Sequence, residues 1–79
     1  MTKSEALAWI AEILEEPVDH VLEETPRAEI AGWDSLGILT LMAGLDEKFD
    51  IHLNETDVET MTKVGDVLEL LRKHNVLEE

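Results

Sequence analysis

Apolar residues recur at helical spacing in three stretches of this chain, and the rhythm fails between the first two. Leu7, Ile10, Ala11 and Leu14 lie three or four apart, the pattern of a helix with one buried face. Thr2-Lys3-Ser4-Glu5 has the spacing of a capping box, with Ser4 as an alternative cap, and Pro17 stops the segment. A first helix is therefore expected over 4–15. Ile38, Leu41, Met42, Leu45 and Phe49 mark one face of a second helix, which starts after the good N-cap Asp34 and ends near Asp50. Val64, Val67, Leu68 and Leu71 fall at i, i+3, i+4 and i+7 of a last helix capped by Thr62. Lys73 and His74 lie in its last turn, where cations suit the helix dipole. A short helix is expected over 54–61 with Val58 and Met61 facing inward, and strand-like alternation is confined to 49–53.

Residues 16–33 lack a clear period and hold both prolines. Val18, Val21, Leu22 and Ile30 are spaced like anchors of a loop pinned to a core, and Asp19 is expected to cap a short turn through Leu22. A loop of this length without its own structure tends to be functional. Gly37 and Gly44 lower helix propensity inside the second helix, which points to close approach by another backbone or by a ligand. Ala43 and Gly44 either leave room beneath the helix or let helices pack closely, and close packing is the commoner outcome. The expected fold is all-α: one domain over 1–79, a small four-helix bundle with a long first loop and a short third helix.

Composition sharpens this picture. With 79 residues, 44% hydrophobic but only 4% aromatic, the core must be mainly aliphatic. Nineteen acidic residues against six basic ones give a charge of −13, which repels nucleic acid and anionic membranes and attracts partners with basic patches. Self-repulsion at this charge predicts a monomer whose melting temperature rises with salt. There is no cysteine, hence no disulfide, thiolate zinc site or thiol nucleophile. The N-terminal residues reach acid at once with no apolar signal stretch, and no apolar run approaches membrane-spanning length, so a cytoplasmic protein is expected.

Gly32-Trp33-Asp34-Ser35-Leu36 carries the candidate chemistry. Ser35 is placed at the exposed start of a helix, where unpaired N–H groups and the positive dipole end favour a phosphate. As a hydrolase nucleophile it lacks the strand–turn–helix G-x-S-x-G context, since Trp33 holds the place of the first glycine, and no histidine stands in a recognisable relation to it. Ser35 could instead be a second cap beside Asp34. Trp33 reads equally as a loop anchor or as part of a surface that a partner meets. Trp9 lies off the first helix's stripe and covers its edge. The carboxylates of 46–59 lack the loop glycine and alternating ligands of a calcium loop, and His20, His52 and His74 are too scattered for a metal site.

In this register the sequence resembles the acyl carrier protein family, which includes the peptidyl carriers. The resemblance covers nearly the whole chain: a first helix, a long loop, Asp34-Ser35-Leu36, a second helix ending Glu47-Lys48-Phe49-Asp50, a short third helix, and Thr62-Lys63-Val64-Gly65-Asp66 opening the fourth. It implies a bundle whose Ser35 bears 4′-phosphopantetheine, donated from coenzyme A by a phosphopantetheinyl transferase. The further partners it implies are acyl-activating ligases, synthases or acyltransferases. The partner-recognition residues it suggests are Trp33, Asp34, Leu36, Gly37, Ile38, Thr40, Asp46 and Glu47. Carriers of the dissociated fatty acid pathway usually place acidic residues soon after the Ser-Leu. Here Gly37 and Thr40 stand in those places, and Lys48 interrupts the acidic end at Asp46 and Glu47. Docking is thus expected to lean on Ile38, Leu39 or their neighbours more than on charge. Gly32-Trp33 before Asp34 resembles freestanding carriers that serve dedicated activating enzymes, pointing to a specialised lipid or polyketide pathway. An aminoacyl or peptidyl carrier, and an unmodified acidic adaptor, remain the alternatives.

Overall fold

A computed structural model describes residues 1–78. The first helix, α1, spans Lys3–Ile13. Thr2 is its N-cap, and the capping box closes from both sides: Glu5 N–H donates to Thr2 Oγ1 at 3.2 Å, and Thr2 N–H donates to Glu5 Oε1 at 2.8 Å. The helix is shorter than the expected 4–15. Glu15 turns left-handed at φ 55°, and Glu16 N–H reaches back to the Ala11 carbonyl at 2.9 Å, so the chain has left the helix before Pro17. The buried stripe is Ala6, Ile10, Ala11 and Leu14, with Leu7 only half-buried.

The second helix, α2, spans Ser35–Phe49, capped by Asp34 and ended by Asp50 in the left-handed conformation. The third, α3, is Glu55–Glu59, capped by Asn54, with Met61 buried and Val58 half-buried beneath it. The last, α4, spans Val64–Lys73, and Val64, Val67, Leu68 and Leu71 are wholly buried. Thr62 is not its cap. Lys63 holds that position, and the Asp66 carboxylate accepts from the N–H groups of Thr62 (2.8 Å) and Lys63 (3.2 Å) and from the Thr62 hydroxyl. His74 lies just past the last turn, which carries Arg72 and Lys73.

Helices α1 and α2 run antiparallel. Leu14 lies against the start of α2 at Gly37, Ile13 and Trp9 against Gly44, and the Trp9 ring meets Phe49 edge-on at 5.2 Å. The core is aliphatic as composition required, closed by Leu41 and Leu45 from α2, Ile51, and the apolar face of α4. Among the described residues there are four α-helices and no β-strand, only isolated bridges between Thr2 and Glu78 and between Pro26 and Lys63.

The long loop is ordered by its prolines and by α4. Pro17 and Pro26 each precede a single 3₁₀ turn, Val18–His20 and Arg27–Glu29, whose N–H groups return to the proline carbonyls. Asp19 therefore caps nothing; it sits inside the first of these turns. Val21 and Ile30 are buried anchors, whereas Val18 and Leu22 are about half exposed, because a tight turn cannot aim all four side chains inward. Three backbone hydrogen bonds tie the loop to the entry of α4: Arg27 N–H to Thr62 O, Val64 N–H to Thr25 O, and Gly65 N–H to Glu23 O. Lys3 adds an ion pair to Glu23 at 2.6 Å.

Candidate functional site

The site begins with two glycines that let three segments touch. A Cβ on Gly32 would lie 1.9 Å from the Leu14 carbonyl oxygen, and one on Gly37 would lie 2.0 Å from the Gly32 carbonyl oxygen. The C-terminus of α1, the loop and the first turn of α2 are thus stacked backbone on backbone. The close approach expected at Gly37 is by another backbone. At Gly44 it is by side chains, Ile13 Cδ1 at 3.0 Å and Trp9 Cζ2 at 3.1 Å from where a Cβ would stand. No space opens beneath Gly44, because the neighbouring helix fills it.

Trp33 is 4% exposed and anchors the loop in the core, with its N–H donating to Ile30 O. Of the two roles open to it in the sequence, the structure places it in the core. From that anchor the chain turns outward to Asp34, whose carboxylate accepts the Gly37 N–H at 2.9 Å and whose carbonyl accepts the Ile38 N–H. The Gly37 N–H, one of the four orphan donors of the helix, is thereby satisfied, and the Ile38 N–H makes the first bond of the helical ladder. Ser35 is the first helical residue and is exposed. Among the described residues its hydroxyl has no hydrogen-bond partner, so Asp34 caps alone. The backbone N–H groups of Ser35 and Leu36 likewise have no acceptor among the described residues. The result is a solvent-facing hydroxyl beside two free donors at the positive end of a fifteen-residue helix.

The remaining residues picked out in the sequence divide by depth. Gly37 is buried and Ile38 half-buried, while Leu36 and Leu39 are among the large exposed apolar side chains of the molecule, 72% and 62% accessible. Thr40 is exposed, and its hydroxyl donates to the Leu36 carbonyl at 2.9 Å. Asp46 and Glu47 are exposed near the far end of α2, more than two turns from Ser35.

A groove of about 730 Å³ runs between α1 and α2, and Asp34, Leu36 and Gly37 form part of its wall. Trp9 and Ile13 line its α1 side together with Glu12 and Glu15; Thr40 and Lys48 line the α2 side. No residue in the sequence pattern pointed to it, since a groove between two helices depends on their separation.

Sequence reasoning also missed an exposed cluster at the end of α2. His52 Nδ1 lies 3.1 Å from Asp46 Oδ1, and its Nε2 lies 3.2 Å from Asp50 Oδ1. The signal was the alternation over 49–53: burying Ile51 turns Asp50 and His52 outward together. His20 pairs with Glu16 at 3.9 Å. These two histidines are thus turned to carboxylates, and neither pairs with Ser35.

The chain is 34% identical to an acyl carrier protein of Campylobacter jejuni subsp. doylei over 67 residues, 85% of this chain and 87% of that protein. The chain belongs to the acyl carrier protein family. An acyl carrier protein of Exiguobacterium sp. is 33% identical over 72 residues, 86% of this carrier and 91% of the relative. One of Desulforapulum autotrophicum is 35% identical over 56 residues, 71% and 73% of the two chains. No protein-family model matches the sequence. Membership makes this chain a carrier and not an enzyme, and gives it acyl-handling enzymes as partners. Among the described residues no helix is long and apolar enough to cross a membrane.

Proposed function

We propose that this carrier bears 4′-phosphopantetheine on Ser35 and presents an acyl group to partner enzymes of a specialised lipid or polyketide pathway. The observation that carries the reading is the exposed, unpartnered Ser35 hydroxyl on the first turn of α2, with the free N–H groups of Ser35 and Leu36 beside it. Those residues fit a phosphodiester: the two N–H groups face the anion, the helix dipole favours it, and Asp34 is already engaged by Gly37. When bound, the group supplies a thiol on a flexible arm, which this cysteine-free chain lacks, and holds the acyl chain as a thioester. The tether raises the effective concentration of cargo at each docked enzyme.

Buried Trp33 and the glycine stack hold the turn so that Ser35 stands out from the bundle. Leu36 and Leu39 offer exposed apolar contacts along α2, with Ile38 between them. Thr40 lies one turn on, and Asp46 and Glu47 supply charge at the far end. This mixture suits a transferase and an activating ligase, synthase or acyltransferase that dock mainly through apolar contact. The single-domain organisation over 1–79 and a cytoplasmic setting belong to the same reading; Glu79 lies outside the described residues.

The test is intact mass after incubation with coenzyme A and a broad-specificity phosphopantetheinyl transferase. A gain of about 340 Da, from the group's own formula, is expected on the wild type and not on Ser35→Ala. Because the hydroxyl has no hydrogen-bond partner among the described residues, Ser35→Ala should unfold within about 0.5 kcal/mol of the wild type. A folded wild type that gains no mass overturns the reading.

A further inference from the structure

We propose that the groove between α1 and α2 holds the prosthetic arm at rest, an inference that depends on the loading of Ser35 proposed above. The groove starts where the arm would leave the protein: Asp34, Leu36 and Gly37 flank Ser35 and are part of its wall. Its other end is at Lys48, about 20 Å along the axis of α2 from Ser35. A pantetheine arm at full extension reaches about 18 Å by its covalent geometry, so the groove is long enough for the whole of it.

The lining matches an arm that is apolar in places, rich in amides and uncharged beyond its phosphate. Trp9 and Ile13 give an apolar floor for its paired methyl groups. Glu12 and Glu15 are acceptors for its amide N–H groups, and Lys48 is a donor for its carbonyls. Three carboxylates, on Glu12, Glu15 and Asp34, face one ammonium, so an anionic cargo is disfavoured there while a neutral arm is accommodated. A hollow on another side of α2, between Met42, Ala43, Asp46, His52 and Leu53, is about 200 Å³ and includes no neighbour of Ser35.

The experiment is solution NMR on isotopically labelled protein loaded with an unlabelled arm, the loading established first by mass. The arm's methyl protons are expected to show cross-relaxation to the Trp9 ring and the Ile13 δ-methyl. In Glu12→Trp, which puts a bulky ring into the groove from an exposed position on α1, away from the docking residues of α2, loading should persist and those cross-peaks should vanish. A loaded wild type without contacts to Trp9 and Ile13, or with contacts to Met42 and Leu53 instead, overturns the inference and leaves the loading intact. A wild type that does not load overturns the proposed function itself, and the mass spectrum reports that before any cross-peak is sought. Should Glu12→Trp fail to fold by circular dichroism, the wild-type cross-peaks alone decide.

Discussion

Replacing Gly37 and Gly44 separately with alanine tests the packing between α1, the loop and α2. Both lie inside α2, where alanine in place of glycine normally adds about 1 kcal/mol of stability. At Gly37 the new Cβ would lie 2.0 Å from the Gly32 carbonyl oxygen, a full ångström inside the closest approach that real Cβ atoms make. The obstacle is backbone, and Gly32 cannot retreat because it is itself pressed on the Leu14 carbonyl. Overpacking costs about 1–3 kcal/mol, and a backbone obstacle puts it in the upper half of that range, so after a propensity gain of about 1 kcal/mol Gly37→Ala should lose about 1–2 kcal/mol net. For a domain of this size that is about 5–15 °C in melting temperature. At Gly44 the atoms met are the far ends of the Ile13 and Trp9 side chains, at 3.0 and 3.1 Å, which yield by small torsional changes. Gly44→Ala should therefore stay within about 1 kcal/mol of the wild type. Urea unfolding followed by far-UV circular dichroism measures both. If Gly37→Ala matches the wild type, or if Gly44→Ala is the more damaging, the backbone stack does not set the position of the Ser35 turn.

Other outcomes follow from single features. Glu15 takes a left-handed conformation with a Cβ, so Glu15→Gly should raise stability by about 0.5–1 kcal/mol in the same assay, and a loss would mean its side chain matters more than its backbone. The Thr2 N–H donated to Glu5, helped by the Thr2 hydroxyl, holds the Glu5 carboxyl below its ordinary value of 4.5. Its contribution is present above that value and is lost as pH falls through the lower folded-state value, so Glu5→Gln should flatten the acid limb of a melting curve; an unchanged limb refutes this. A net charge of −13 on a chain this small predicts a melting temperature that climbs from low salt to about 0.2 M sodium chloride, and a flat or falling trend rules out self-repulsion as a limit on stability.

The helices were legible where side chains alone decide them. Asp34 and the apolar spacing after it located α2 closely, and the i, i+3, i+4, i+7 set on α4 is buried without exception. Errors arose where backbone hydrogen bonds decide. The Asp66 carboxylate, three residues after Lys63, set the start of α4 in preference to the Thr62 hydroxyl, which became a donor to it. The prolines carried a signal of their own: each fixes φ at the entry of a 3₁₀ turn, and that turn decides which of Val18, Val21 and Leu22 is buried. Trp33 could not be assigned from its neighbours, since an indole beside a glycine suits both a core and a surface. Ser35 was legible because its setting is local. The groove was not, because its width depends on how far Trp9 and Ile13 push α1 from α2 across Gly44.

The tie between the long loop and α4 has a kinetic consequence. Thr25, Arg27 and Glu23 pair with residues roughly forty positions further along, whereas α1 and α2 are neighbours in the chain. Closing so long a span is slow in entropy terms and yields only three backbone hydrogen bonds. The helices should then associate first, and the strap should lock afterwards, fixing the turn that presents Ser35. Substitutions at Thr25 or Gly65 would accordingly hasten unfolding while leaving the folding rate nearly unchanged.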